Sequence, residues 1–251
     1  MGAGGGSRGK PGKGKKAAAG GRARTAQAKG SRTRQAPHKE SPTTAHSEPS
    51  TPAMPELLRV GAVPGSTPGK WIDTFTERFP QTALEFVALS AADQHRALHD
   101  GDVDLAIVRM PVTSDEIHVI PLYEEVPVVV ASIDSHLMAA DDLRLEDLAG
   151  EVVIVPGDDV LSLSVVGAAP PRFEPPADTA GAIATVAAGV GCVVVPMSIA
   201  RAHQRKDADW RVLVDGPVSP VGVAWRKDAE NPAVDAFIGI VRGRTANSSR
   251  N

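Results

Sequence analysis

The alternation of apolar strands and amphipathic helices across residues 57–109 constrains the fold of this chain most. Three short apolar segments with the character of buried strands are separated there by two segments with helical character. In the first helical segment, Trp71, Phe75 and Phe79 recur at helical spacing and share one face. The third strand lies in the sequence GDVDLAIVR and ends at Arg109. This β-α-β-α-β order is typical of a parallel sheet with crossover helices.

The first loop at the carboxyl edge of this predicted sheet is polar. Open parallel sheets bind ligands beyond the carboxyl ends of their strands, so this loop is a candidate binding element. It carries Ser66 and Thr67, and we expect Thr67 to be the helix N-cap with Pro68 as the first helical residue. The start of a helix favours a carboxylate or phosphate, whereas an ordinary N-cap explains the same residues.

Two further positions at this edge are candidate ligand contacts. Ser90 follows the second strand with Asp93 three residues later, which predicts a capping box for the second helix. That capping box alone also explains Ser90. Arg109 could hold an anionic effector through a bidentate hydrogen bond, or it could form an ion pair with one of the nearby acids. If Arg109 contacts the effector, Arg109→Ala should abolish the ligand response without unfolding the domain.

The chain after residue 110 continues the α/β pattern. A helix is predicted from Asp178 or Thr179 to Ala188, and these two residues are either a cap or ligand contacts. The remaining predicted strands are 117–131, 152–155, 192–195 and 221–225, and the remaining predicted helices are 143–149 and 233–242.

A strong charge asymmetry divides the chain. The net charge is −3, yet residues 1–39 contain eleven Lys and Arg and no acidic residue, so the rest carries 27 − 11 = 16 basic and 30 acidic residues. Residues 1–54 lack aromatic residues and are predicted to be a disordered basic arm and spacer. The arm could bind nucleic acid non-specifically through phosphate neutralisation. Alternatively it is a solubilising tail, or Met54 is the true start. The basic residues of the predicted nucleic-acid arm are Arg8, Lys10, Lys13, Lys15, Lys16, Arg22, Arg24, Lys29, Arg32 and Arg34.

Several functional classes lack support in the sequence. Cys192 is the only cysteine, which argues against a disulfide framework or a cysteine zinc site. His95 and His99 have a metal-capable spacing but are better explained as a solvated helix face. The chain has no G-x-S-x-G motif, and residues 189–191 follow a helix instead of preceding one. No apolar run could cross a membrane and no secretory signal is present. We therefore predict a cytoplasmic protein that is not an enzyme and has no cofactor, metal or membrane contact.

Six segments in order resemble a known family. After the strand-loop-helix opening come GDVDLAIVR, PLYEEVPVVVA, LRLEDLAGEVVIVP, TVAAGVGCVVVPMSIA and VGVAWRKDAENPAVDAFIGIV. This order resembles the effector-binding (substrate-binding) domain of LysR-type transcriptional regulators, which is similar to type 2 periplasmic binding proteins. The resemblance covers about residues 57–245. Two departures are evident: residues 1–54 do not carry the family's winged helix-turn-helix, and a Pro-rich interval before Thr179 replaces a usual helix.

The resemblance implies an α/β domain with two lobes and a small-molecule effector in the cleft between them. We expect this effector to be anionic because of the helix start at Ser66 and Thr67 and the arginine at Arg109. Lobe one would comprise 57–122 plus 219–245, lobe two would comprise 123–218, and the domain would form a homodimer. The resemblance implies a ligand-sensing role in transcriptional regulation. A solute-binding protein and a ligand-free dimerisation domain of the same fold are the alternatives. The expected effector-binding residues are Ser66, Thr67, Ser90, Arg109, Asp178 and Thr179.

Overall fold

The computed structural model describes the backbone of residues 53–248 and the side chains of residues 53–243. Residues 1–52 of the predicted arm and spacer lie outside this range, so the arm remains a prediction. The described chain contains two five-stranded sheets with helices packed on them, which confirms the predicted α/β class.

The first sheet contains the predicted β-α-β-α-β unit. Its strand order is β2-β1-β3-β10-β4, with β1, β2 and β3 parallel and β10 antiparallel to both β3 and β4. Its strands are β1 (Leu57–Ala62), β2 (Ala83–Ala88), β3 (Leu105–Arg109), β4 (Ile117–Glu125) and β10 (Ser219–Arg226), and its helices are α1 (Gly69–Arg78), α2 (Gln94–His99) and α5 (Pro232–Ser248).

The core of this half explains why its helices dock. Phe75 of α1 is fully buried against Phe237 of α5, with ring centroids 5.8 Å apart. Leu98 of α2 is buried on the opposite face of the sheet, together with Val108 of β3. All five residues of β3 are buried, as expected for a strand covered by helices on both faces.

The second sheet has the strand order β6-β9-β5-β8-β7. Its strands are β5 (Pro127–Ser132), β6 (Asp142–Leu143), β7 (Val153–Ile154), β8 (Cys192–Pro196) and β9 (Ala208–Leu213), and its helices are α3 (Thr179–Ala187) and α4 (Met197–Ala202). The sheet has its own core, in which the valines of β5 and β8 pack on both faces. Residues 157–177 form turns and loops without a helix, in agreement with the Pro-rich sequence.

The chain passes between the sheets at two neighbouring places. Val126 joins β4 to β5, and residues 214–218 join β9 to β10. Because Glu125 and Ser219 are register partners in the first sheet, the two connections leave it side by side. The residue boundaries predicted for the two lobes stay a prediction.

The structure corrects two predicted helix caps. Thr67 is not the N-cap of α1: Pro68 occupies that position, and its carbonyl accepts the N–H groups of Trp71 and Ile72. The physical reason is that the Pro68 carbonyl accepts the first i→i−4 hydrogen bond of the helix, from Ile72, so the helix begins one residue later than predicted. The Thr67 side chain is therefore exposed and is not used as a cap.

Ser90 is likewise not the cap of α2, which begins at Gln94. Its hydroxyl donates to the Asp93 carboxylate at 2.7 Å and accepts the Asp93 N–H at 3.0 Å. These contacts close a separate turn before the helix, so the serine stabilises the turn instead of the helix. Two predicted bounds also change: the segment 143–149 contains a single 3₁₀ turn at Leu145–Leu148, and α5 continues past residue 242 to Ser248.

Candidate functional site

A cavity of about 660 Å³ opens where the two sheets meet. One wall is the β1–α1 loop, another is the end of β4 with the connection to β5, and the third is α4. Its volume is within the range of small-molecule sites in proteins. The lining residues are 65–67, 123–126, Met197, Ser198, Arg201 and Ala202.

The β1–α1 loop reaches the cavity through a tight turn. Gly65 has φ +83°, and a Cβ at this position would collide with the Ser198 hydroxyl of α4. The Ser66 hydroxyl donates to the Val63 carbonyl at 2.6 Å, which fixes the turn. Thr67 follows with its side chain exposed and with no hydrogen bond to any described residue. Ser66 and Thr67, both expected binding residues, therefore line the cavity.

Arg109 lies behind this loop in a buried polar cluster. Its guanidinium donates to Glu125 at 3.1 Å, to the Ser219 hydroxyl at 2.7 Å and to the Pro64 carbonyl at 3.0 Å. The Arg109 and Glu125 side chains are only 4% and 7% exposed. Arg109 thus ties the loop to both connections between the sheets, and it does not line the cavity. Of the two roles that the sequence allows for Arg109, the ion pair is the one seen in its contacts. A contact between Arg109 and an effector stays a prediction.

Ser198 joins the buried cluster to the opposite wall. Its hydroxyl donates to the Glu125 carboxylate at 2.7 Å, on the same oxygen that accepts from Arg109. Ser198 belongs to the second-sheet half, and Glu125 ends a strand of the first sheet. The cluster consequently couples the position of α4 to the position of the β1–α1 loop across the cavity.

Arg201 is the one Lys, Arg or His among the described residues that line the cavity. Its guanidinium lies 6.0 Å from the ring centroid of Trp210, at the outer limit of a cation–π contact. The side chain is exposed and forms no ion pair with any described residue. Sequence reasoning missed it, although Met197 and Arg201 lie one helical turn apart directly after β8 and both line the cavity.

Tyr123 adds an amphipathic side chain to the wall. Burial raises the pKa of its phenol, and the nearby Glu125 carboxylate raises the pKa further. The hydroxyl is therefore neutral at physiological pH and available as a hydrogen-bond donor. Together with Val126 and Met197, its ring gives the cavity a partly apolar surface.

Three expected binding residues lie outside the cavity lining. Ser90 is engaged in its own turn. Asp178 is the N-cap of α3, as expected, and accepts the Gly181 N–H at 2.8 Å. The buried Thr179 donates to Asp158 at 2.7 Å. Their contacts with an effector stay predictions.

Two other kinds of functional feature, a metal site and a membrane-spanning helix, are absent from the described residues. No group of three or more His, Cys, Asp or Glu side chains there is placed to hold a metal ion. In the same part of the chain, no helix combines the length and apolar character needed to cross a membrane. Cys192 is fully buried in β8 and packs as a small apolar residue.

Comparison with known proteins identifies the family. The model of the LysR substrate binding domain matches residues 55–246. The Hca operon transcriptional activator HcaR of Escherichia coli (strain K12) is 28% identical over 202 residues, covering 75% of this chain and 68% of HcaR. The HTH-type transcriptional regulator CatR of Pseudomonas putida is 31% identical over 163 residues, covering 61% of this chain and 56% of CatR.

A solved structure supports the same fold. The BenM effector-binding domain with its effector benzoate superimposes with a TM-score of 0.65 at 18% identity, covering 79% of this chain and 96% of that domain. The two curated relatives are transcriptional regulators, and this chain spans between about half and two thirds of their length. The family match over residues 55–246 places this chain in the LysR substrate-binding-domain family.

Proposed function

We propose that this protein senses a small anionic molecule in the cavity between its two sheets and takes part in transcriptional regulation. The observation that carries the proposal is the cavity itself, bounded by the β1–α1 loop, the β4–β5 connection and α4. A ligand there touches both halves of the domain. Its binding can therefore shift the equilibrium between an open and a closed arrangement of the halves. Because such a regulator acts at DNA, we place the protein in the cytoplasm.

The anionic character of the effector has two supports. Arg201 supplies an exposed, unpaired cation at the cavity. The BenM effector-binding domain, which has the same fold, was solved with benzoate, a carboxylate. Hydrogen bonds to a charged group are stronger than neutral ones, so a carboxylate is well suited to this wall.

A thermal-shift and calorimetric screen of small carboxylic acids tests the proposal. Ala202→Trp places an indole in the cavity and should abolish binding of any hit. Ala184→Trp, at an exposed position of α3 outside the cavity, is the matched control and should bind normally. Loss of binding in both variants, or in neither, contradicts the site. If the wild-type protein dimerises but binds none of the acids, a ligand-free interaction domain is favoured.

The basic arm is proposed to add non-specific nucleic-acid affinity. Residues 1–39 contain eleven basic residues and no acidic residue. This composition suits phosphate neutralisation and counterion release. Binding to duplex DNA should weaken steeply with salt and disappear on deletion of residues 1–39. A salt-independent complex that survives the deletion would refute this role.

A homodimer is proposed through the edge of the first sheet. β2 is the edge strand of that sheet, and Phe86 on it is 53% exposed. Light scattering after size exclusion should give a dimer for wild type and a monomer for Phe86→Glu. Val166→Glu, at a 93% exposed apolar position, is the control and should leave the dimer intact. A wild-type monomer, or a dimeric Phe86→Glu variant, contradicts this interface.

A further inference from the structure

Most of the charge near the cavity is already neutralised within the protein. Glu125 on the lining forms a buried ion pair with Arg109 behind it, and the Glu125 oxygen in that pair also accepts from Ser198. The charged side chains that remain on the lining are Glu124 and Arg201, both exposed. Neither forms an ion pair with a described residue. The lining therefore offers one free positive charge and one free negative charge to a ligand.

We propose that Arg201 pairs with the carboxylate of the effector, and that the effector carries a single negative charge on an apolar body. This inference rests on the proposed function, since it assigns a ligand class to the same cavity. Arg201 fits the role because its planar guanidinium can hold a carboxylate by two parallel hydrogen bonds. The guanidinium lies 6.0 Å from the Trp210 ring centroid, at the outer limit of a cation–π contact.

The other wall can complete the contact. Thr67 is exposed, lines the cavity and has no hydrogen bond to a described residue, so its hydroxyl is available to the ligand. Thr67 belongs to the first-sheet half, whereas Arg201 belongs to the second. A ligand held by both residues bridges the two halves, which is the geometry an effector needs to change their equilibrium.

The restriction to a single charge follows from the rest of the lining. Glu124 repels a second carboxylate, and no second free cation lines the described cavity wall. Tyr123, Val126 and Met197 present apolar surface that suits an aromatic or aliphatic body. Dicarboxylates should therefore bind more weakly than monocarboxylates of similar size.

Calorimetry with matched acids and amides tests the assignment. The probes are benzoate and hexanoate, their neutral counterparts benzamide and hexanamide, and the dicarboxylates phthalate and adipate. For the wild type, each monocarboxylate should bind more tightly than its amide and its dicarboxylate. Arg201→Gln should raise the Kd of the monocarboxylates about ten- to a hundredfold and leave the Kd of the amides nearly unchanged. Arg201→Lys should recover part of the loss, because it restores the charge without the planar fork.

Arg172→Gln is the matched control, since Arg172 is an exposed arginine outside the cavity lining. It should bind every probe as wild type does. An equal loss of acid and amide binding in Arg201→Gln would show a packing role and overturn the inference, as would unchanged acid binding. A dicarboxylate that binds as tightly as its monocarboxylate would overturn the single-charge assignment. Wild type that binds none of the probes would instead overturn the proposed function.

Discussion

Replacement of Arg109 by methionine tests the role of the buried cluster. Methionine fills the space of the aliphatic stem but lacks the guanidinium, so the change removes the charge and the donors while it retains the apolar part of the side chain. The lost contacts are those to Glu125 at 3.1 Å, to Ser219 at 2.7 Å and to Pro64 at 3.0 Å. The Glu125 carboxylate then stays buried with Ser198 as its remaining hydrogen-bond partner in the cluster.

The expected destabilisation follows from this burial. Both partners are more than nine-tenths buried, and removal of one member of such a pair costs about 3–5 kcal/mol because the other charge is left uncompensated. For a domain of about 200 residues, each kcal/mol lowers the Tm by about 2–4 °C, so the Tm should fall by roughly 6–20 °C. This outcome differs from the expectation drawn from the sequence, that Arg109→Ala would remove the ligand response without unfolding the domain.

Urea unfolding followed by circular dichroism measures the effect. The double variant Arg109→Met/Glu125→Gln removes both charges and should regain a large part of the lost stability. Arg205→Met, which breaks the exposed ion pair with Asp207, is the control and should leave the midpoint nearly unchanged. An unfolding free energy of Arg109→Met within about 1 kcal/mol of the wild-type value would show that the buried ion pair does not stabilise the domain. A double variant no more stable than Arg109→Met would show that the unpaired Glu125 charge is not the cause of the loss.

Three further predictions concern single positions. A residue other than glycine in the left-handed backbone region costs about 1–2 kcal/mol. Gly65→Ala should lower the unfolding free energy by more than this, because its Cβ also collides with Ser198. Gly150→Ala, at φ +86° in open space, is the control that measures the cost of the backbone conformation alone. Burial raises the pKa of Cys192 to about 12, so between about pH 9 and pH 12 only the unfolded state releases this proton. The unfolding free energy should then fall by about 1.4 kcal/mol per pH unit because of this thiol. Cys192→Ala lacks the thiol, so its unfolding free energy should fall less steeply with pH than that of the wild type. Asp178→Ala should cost about 1 kcal/mol in urea unfolding through the lost N-cap; no change would contradict the cap.

The first-sheet unit could be predicted because its signals are local. Helical spacing of Trp71, Phe75 and Phe79 identified α1, and apolar runs bounded by turns identified its strands. The cap at Asp178 was also readable, because a cap depends on only a few neighbouring residues. The cap predicted at Thr67 was wrong, because the carbonyl of the next residue, Pro68, accepts the first helical hydrogen bond.

The site was harder to predict because its contacts join distant parts of the chain. Arg109 and Ser219 are 110 residues apart in sequence, and the pairing of β3 with β10 that brings them together has no local signal. α4 has six residues, too few to show a reliable hydrophobic period, so Arg201 could not be assigned to a cavity wall. The charge at Arg109 was visible, but whether it meets a ligand or Glu125 depends on tertiary structure.

A crystal structure of the protein with its tightest-binding monocarboxylate shows directly whether the cavity holds the effector. Electron density for the ligand should lie between Thr67 and Arg201, with the carboxylate on the guanidinium and the apolar body against Val126 and Met197. A ligand bound elsewhere, or bound in the cavity with its carboxylate turned away from Arg201, would contradict the proposed site.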